Sequence, residues 1–201
     1  MKPEQYIARL ERLEGDRRNW DDHWQEVAEV VFPHRSDFTK EVTRGERKNV
    51  KIVDSTAVNA NELLGAGLHG MLTNPASKWF KLRLSDNMLM EDPNIKMWLE
   101  EVERRMYIAL NSPRAKFSSH IHELYLDMTA FGTGTMFIGE DPVTGDLNFS
   151  TKHLKECYLA EDAQGFIDTV YRKFEYTARQ IVQKWGIEST SKDVRAAFEK
   201  D

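Results

Sequence analysis

Through the first 32 residues, hydrophobic positions recur at spacings of three and four. Trp20, Trp24, Val27 and Val31 therefore share one face of a helix. Gly15 interrupts the charged run ahead of them and is expected to divide the stretch into two helices. Pro33 ends the pattern, because proline lacks the N–H that continues a helix and restricts the residue before it. Residues 34–49, HRSDFTKEVTRGERKN, are polar and charged without a period and read as an exposed loop, with a short strand at 51–53. A helix then starts at Asp54 or Ser55, both good N-caps, and runs to residue 72. Gly65, Gly67 and Gly70 lie inside it at a cost of about 1 kcal/mol each relative to alanine, which is tolerable where another backbone packs closely. Residues 78–85, KWFKLRLS, alternate and read as a strand. Ile95, Trp98, Leu99, Val102 and Met106 mark one side of a helix over 93–110. Residues 111–113 break it, and another helix follows over 114–130.

Past residue 132 the hydrophobic period changes from 3.6 to 2. TMFIGED and GDLNFSTKHL flank the turn DPVTG and predict an antiparallel hairpin. ECYLAED and FIDTVYRKFEY flank AQG and predict a second. Thr177 caps the helix ARQIVQKW, closed by Gly186. Helices first, then meandering strands, then helices again make an α+β fold. Residues 1–186 form the main region. From Ser191, SKDVRAAFEKD opens a helix still running at the last residue, so 187–201 reads as the start of a segment that continues in a longer protein.

The sharpest chemical question is posed by residues 131–141, FGTGTMFIGED. A dinucleotide loop needs strand, glycine turn, then helix, so that the helix N-terminus meets the phosphate. Here a helix precedes the glycines and a strand follows. Gly132, Gly134 and Gly139 also miss the G-x-G-x-x-G spacing, and no P-loop lysine follows. Gly132 reads as a helix C-cap and Gly134 as the joint into the strand. His120 and His122, two apart on a helix, point in different directions. His23, His34, His69 and His153 have no partner at ligand spacing. Cys157 reads as a half-buried strand cysteine. The carboxylates of WLEEVERR and NWDDHW read as solvated helix faces, with Glu100 pairing Arg104 at i,i+4. No residue is proposed as catalytic, cofactor-binding or metal-ligating. The five tryptophans read mostly as core, some as subunit contacts.

Composition narrows the classes without adding a site. With 40% hydrophobic residues among 201, the chain holds enough apolar material for a core. A net charge of −5, from 28 basic and 33 acidic residues, gives no basic field for nucleic acid. No apolar run is long enough to span a bilayer, and the start lacks the apolar core of a signal peptide. One cysteine precludes an internal disulfide and fits a reducing compartment. These features favour scaffold or assembly work over catalysis. The runner-up is a nucleic-acid-binding module without catalysis, resting on the mixed-charge clusters ERLEGDRR and RGERKNVK.

Four stretches carry a resemblance. They are RRNWDDHWQEVAEVVFPHR, KIVDSTAVNANELLGAGLHGMLTNPASKWFKL, ELYLDMTAFGTGTMFIGED and YTARQIVQKWG. Their order and spacing, from Arg17 to Gly186, resemble the bacteriophage head-to-tail connector family, the portal proteins of short-tailed phages. The resemblance implies a subunit of a homo-oligomeric ring, usually a dodecamer, at one capsid vertex, through which double-stranded DNA is packaged and ejected. It implies terminase, capsid, scaffold and tail proteins as partners, no membrane, no cofactor and no catalytic residues. Virion and host cytoplasm during assembly are the implied locations. Within that family, residues 1–186 resemble the N-terminal, wing-like region. The channel-lining helices would lie elsewhere, so this chain alone is expected to be a monomer or small oligomer.

Overall fold

The computed structural model describes residues 3–40, 43, 45–48, 51–141 and 144–200. Helix α1 spans Pro3–Val31 without a break at Gly15. The expected division fails because a lone exposed glycine weakens a helix by only about 1 kcal/mol, too little to interrupt a long ladder. Pro33 stops α1 as expected and opens a 3-10 turn at Pro33–Arg35. Helix α2 spans Thr56–Leu72. Asp54 rather than Ser55 supplies the polar start, its carboxylate accepting from the N–H and hydroxyl of Thr56. No strand forms at 51–53 among the described residues.

Helix α3 spans Pro93–Leu110, with the Asp92 side chain accepting from the Asn94 N–H at 2.7 Å. Helix α4 spans Phe117–Phe131, starting later than residue 114. Residues 114–116 turn instead, because the Ala115 carbonyl accepts from the Phe149 N–H at 2.9 Å and is lost to a helical ladder. The fold then becomes two antiparallel hairpins. Strand β1 (Thr135–Glu140) pairs with β2 (Leu147–Lys152), and β3 (Cys157–Glu161) with β4 (Ile167–Arg172). Pro142 and Val143 of the first expected turn lie outside the described residues. Helix α5 (Ala178–Trp185) has the expected Thr177 cap, completed as a capping box by Gln180, and ends on Gly186 at φ +78°. Helix α6 (Lys192–Phe198) starts on Ser191 as expected, but Glu199 and Lys200 form a turn rather than extending it. The architecture is α+β, as the change of period predicts.

The core lies where α1, α4 and the turn before β3 converge. Ala28, Phe32, Phe38, Leu126, Phe131 and Leu154 form it, with Trp24, Val27 and Ala130 against them. Two of these residues come from the segment that follows α1. Helix α2 packs on α4 through Gly65, where an added Cβ would sit 2.6 Å from Leu126 Cδ2. The expectation of close packing therefore holds at Gly65, whereas Gly67 and Gly70 face open space. The stability of single variants should separate them. Gly67→Ala is expected to add about 1 kcal/mol through helix propensity. Gly65→Ala is expected to lose about 1–3 kcal/mol by forcing the buried Leu126 aside. Equal gains at both positions in urea unfolding would contradict this packing.

Candidate functional site

The most heavily built polar region is a seam that fastens α1 to the segment after it, to α4 and to the turn leading into β3. At one end, Arg17 reaches from α1 to a 3-10 turn at Leu154–Glu156. Its Nη1 donates to the carbonyls of Leu154 at 3.1 Å and Cys157 at 2.6 Å, and its Nη2 donates to that of Lys155 at 2.9 Å. The Leu154 carbonyl already accepts from the Cys157 N–H that closes the turn, so the guanidinium adds a second bond there and ties the turn to α1. The same group stacks on Tyr158, 3.8 Å from its ring centre. Asp21 sits 2.9 Å from Arg17 Nε as an ion pair, off the line of a hydrogen bond. Burial lifts the Asp21 carboxyl above its ordinary range despite Arg17.

In the middle of the seam, Gln25 spans the joint after α1. Its amide nitrogen donates to Glu29 at 3.1 Å and to the Ser36 carbonyl at 3.0 Å. Its oxygen accepts from the Phe38 N–H at 2.9 Å. Glu29 pairs with Lys40 and Lys51, whose hydrogen bonds hold its carboxyl down at about 2. Asp37 accepts from His153 at 2.9 Å, and this bond brings its pKa down to about 2. The other His153 nitrogen accepts from the Lys155 N–H at 3.0 Å, which makes His153 the cap of the turn that Arg17 clamps. At the far end, Arg35 donates to both oxygens of Asp127, at 3.1 and 3.2 Å. Asp127 is 1% exposed, and burial pushes its pKa up to about 6 against the pull of Arg35 and His153.

Residues 35–38 are thus not the exposed loop that their polarity predicts, since Ser36 and Phe38 are buried and Arg35 and Asp37 half-buried. Arg35 and Lys40 have partners on helices, and Asp37 has His153 before the turn into β3, which polarity alone does not reveal. One signal was available: an aspartate inside the apolar run Leu124–Met128 points to a buried pair. Of the other sequence-level expectations, the Glu100–Arg104 pair does not form, because Arg104 and Arg105 both bond Glu101. Cys157 is buried rather than half-buried. His69 and His122 meet after all, with ring centres 5.6 Å apart, because α2 packs on α4. Among the described residues no group of His, Cys, Asp or Glu is large enough to hold a metal ion. Gly132 closes α4 at φ +77°, its N–H donating to Met128. Gly134 is pressed against α4, where a Cβ would lie 2.7 Å from Leu124 Cδ1 and 3.2 Å from the Leu124 carbonyl. The glycines make a joint between helix and strand.

Several large apolar side chains are exposed on the described residues. Leu64 and Met71 share the outer face of α2, and Met97 and Trp98 project from α3. Phe137 and Ile138 project from β1, Ile167 and Val170 from β4. Trp20 at 58% and Trp98 at 61% exposure are not core residues, so fewer tryptophans are core than the sequence predicts. No described helix is long and apolar enough to cross a membrane.

Comparison with known proteins gives this surface a context. The family model described as bacteriophage head to tail connecting protein matches residues 3–201. The portal protein of Salmonella phage epsilon15 is 34% identical over 199 residues, covering 98% of this chain and 35% of that protein. The probable portal protein of Bordetella phage BPP-1 is 30% identical over 198 residues, covering 96% of this chain and 35% of that protein. The chain therefore spans about a third of the length of the curated relatives it matches.

Proposed function

The chain belongs to the bacteriophage head to tail connecting protein family, and we propose from this premise that it is a structural part of a portal subunit. In this reading copies assemble into a ring at one capsid vertex, through which double-stranded DNA enters and leaves. Residues 1–186 contribute the wing-like region. Terminase, capsid or scaffold and tail proteins are its other partners, and the virion is its destination. The observation that carries the reading is the family match over nearly the whole chain, joined to relatives that are themselves portal proteins. The exposed apolar faces of α2, α3, β1 and β4 support it, because a subunit keeps such surface for its neighbours. Electron microscopy of the full-length protein tests it. Closed rings with a central channel are the expected result, and a dispersed monomer under assembly conditions would refute the reading.

The nucleic-acid-binding alternative loses ground on the same geometry. Arg17 of ERLEGDRR is spent on backbone carbonyls. Lys48 and Lys51 of RGERKNVK are spent on the His34 carbonyl and on Glu29. Arg44, Asn49 and Val50 of that cluster lie outside the described residues.

A structural role carries a second expected outcome. Thermal unfolding in the presence of ATP, NAD or divalent metals should show no saturable stabilisation. A real site at a hundredfold excess over its Kd would add about 2.7 kcal/mol. A saturable shift of that order with any of these ligands would assign the chain an activity that this reading does not contain.

A further inference from the structure

Residues 78–84 alternate like a strand in the sequence, yet they pair with no strand among the described residues. Helix α3 and the turn before it stand in for a partner along one edge. The Tyr107 hydroxyl accepts from the Phe80 N–H at 2.7 Å and donates to the Phe80 carbonyl at 3.0 Å. The Leu82 N–H donates to Glu103 at 2.8 Å, and the Leu84 N–H to the Met90 sulfur at 3.4 Å. In an extended chain, successive backbone groups point to opposite sides. The backbone groups of Trp79, Lys81 and Arg83 therefore face away from α3, and among the described residues their N–H groups have no acceptor. This is an open strand edge on a segment already held in register.

A second open edge lies on β1. Phe149 and Thr151 of β2 turn their N–H groups away from β1, toward the Ala115 carbonyl at 2.9 Å and His120 Nδ1 at 3.3 Å. Their register partners, Ile138 and Met136, accordingly turn theirs outward on the other side of the hairpin. The α3–α4 turn covers the β2 edge. The β1 edge is bare and carries exposed Phe137 and Ile138. No proline or lysine blunts it, although an apolar edge of this kind invites pairing unless pairing is its use.

The two edges are within one residue of the same length and oppose in charge. Residues 78–84 bring Lys78, Lys81 and Arg83 with no acid, and β1 brings Glu140 with no base. Like charges facing each other across a ladder are unfavourable, so the basic edge disfavours a second basic edge and selects the acidic one. Among the described residues no strand of the same copy pairs with residues 78–84 or with the outer edge of β1. We propose that residues 78–84 of one copy add as a strand to the β1 edge of a second copy of this chain. The contact is heterologous, each copy using one edge to give and a different edge to receive, which is the geometry that generates rings or filaments. The proposal rests on the ring-subunit reading and deepens it by naming the surfaces that meet.

Mixed-cysteine cross-linking tests the pairing. Lys81 and Ile138 lie at the middle of the two edges and meet in either strand orientation when those middles align. Both side chains are exposed, and the native Cys157 is buried. Chains carrying Lys81→Cys are mixed with chains carrying Ile138→Cys and oxidised mildly, each variant's fold being checked by circular dichroism. A disulfide-linked dimer is expected in the mixture and in neither variant alone. Folded variants that give no dimer in the mixture overturn the proposal, as does equal dimer from one variant alone. Electron microscopy of the unsubstituted protein separates this failure from that of the ring-subunit reading. Rings without the cross-link refute the strand pairing only, whereas the cross-link with open filaments in place of rings refutes ring closure only.

Discussion

Replacing Phe38 with alanine is expected to destabilise the folded chain by about 3–5 kcal/mol, the loss typical of removing a buried phenylalanine. Phe38 is 7% exposed, although it sits in a stretch of polar residues. Its ring lies 5.7 Å from that of Trp24, 5.2 Å from Phe131 and 4.9 Å from His153. Gln25 holds its backbone N–H, so the segment cannot slide to refill the hole. Urea unfolding measures the effect, with Phe137→Ala as the contrast. Phe137 projects from β1, and its removal should stay within about 0.5 kcal/mol in the isolated chain. A loss below about 1 kcal/mol for Phe38→Ala would show that residues 36–39 pack weakly on α1.

That single ring shows where sequence reasoning ends. The elements with local punctuation are legible. Helix α3 has Asp92 and Pro93 at its start, α5 lies between Thr177 and Gly186, and both hairpins alternate around turn residues. The glycines of FGTGTM could be excluded as a phosphate cradle because polarity of order is written in the sequence. Phe38 is not legible in this way. Its neighbours Ser36, Asp37 and Lys40 look solvated until Gln25, His153 and Glu29 are brought to them by folding. Residues 78–84 mark the opposite limit. Alternation revealed an extended backbone correctly, but a strand is defined by its partner, and the partners here are Tyr107 and Glu103 side chains. The tryptophans fail for a related reason, since periodicity places Trp20 and Trp98 on apolar faces but does not say what covers those faces.

Arg35→Ala is expected to cost about 1–3 kcal/mol between pH 7 and pH 8, because Asp127, buried without its bidentate partner, must then take up a proton, at about 1.4 kcal/mol per pH unit above its pKa of about 6. The cost should depend on pH, and its sign follows from Asp127. Burial raises this carboxyl from its ordinary 3.8 to about 6, so the folded chain binds the proton more tightly than the unfolded chain. The stability linked to Asp127 is therefore fully present below its unfolded pKa and is lost as pH rises through about 6. A shift of this size corresponds to roughly 3 kcal/mol. Glu29 and Asp37, held at about 2, act in the other direction, and their contribution is lost only as pH falls below their ordinary range. The interval between about 4 and 6 thus belongs chiefly to Asp127, with Asp21 adding the same sign. Without Arg35 the Asp127 pKa rises further, so the variant should lose little at pH 5 and the full amount at pH 8. Asp127→Asn should flatten the slope across that interval. An apolar pair, Arg35→Met with Asp127→Leu, should recover most of the loss, since it removes the charge together with its partner. Urea titrations of the variants at both pH values decide the matter. A loss from Arg35→Ala that is equal at pH 5 and pH 8 would mean that Arg35 holds this joint by packing, with no contribution from the charge on Asp127.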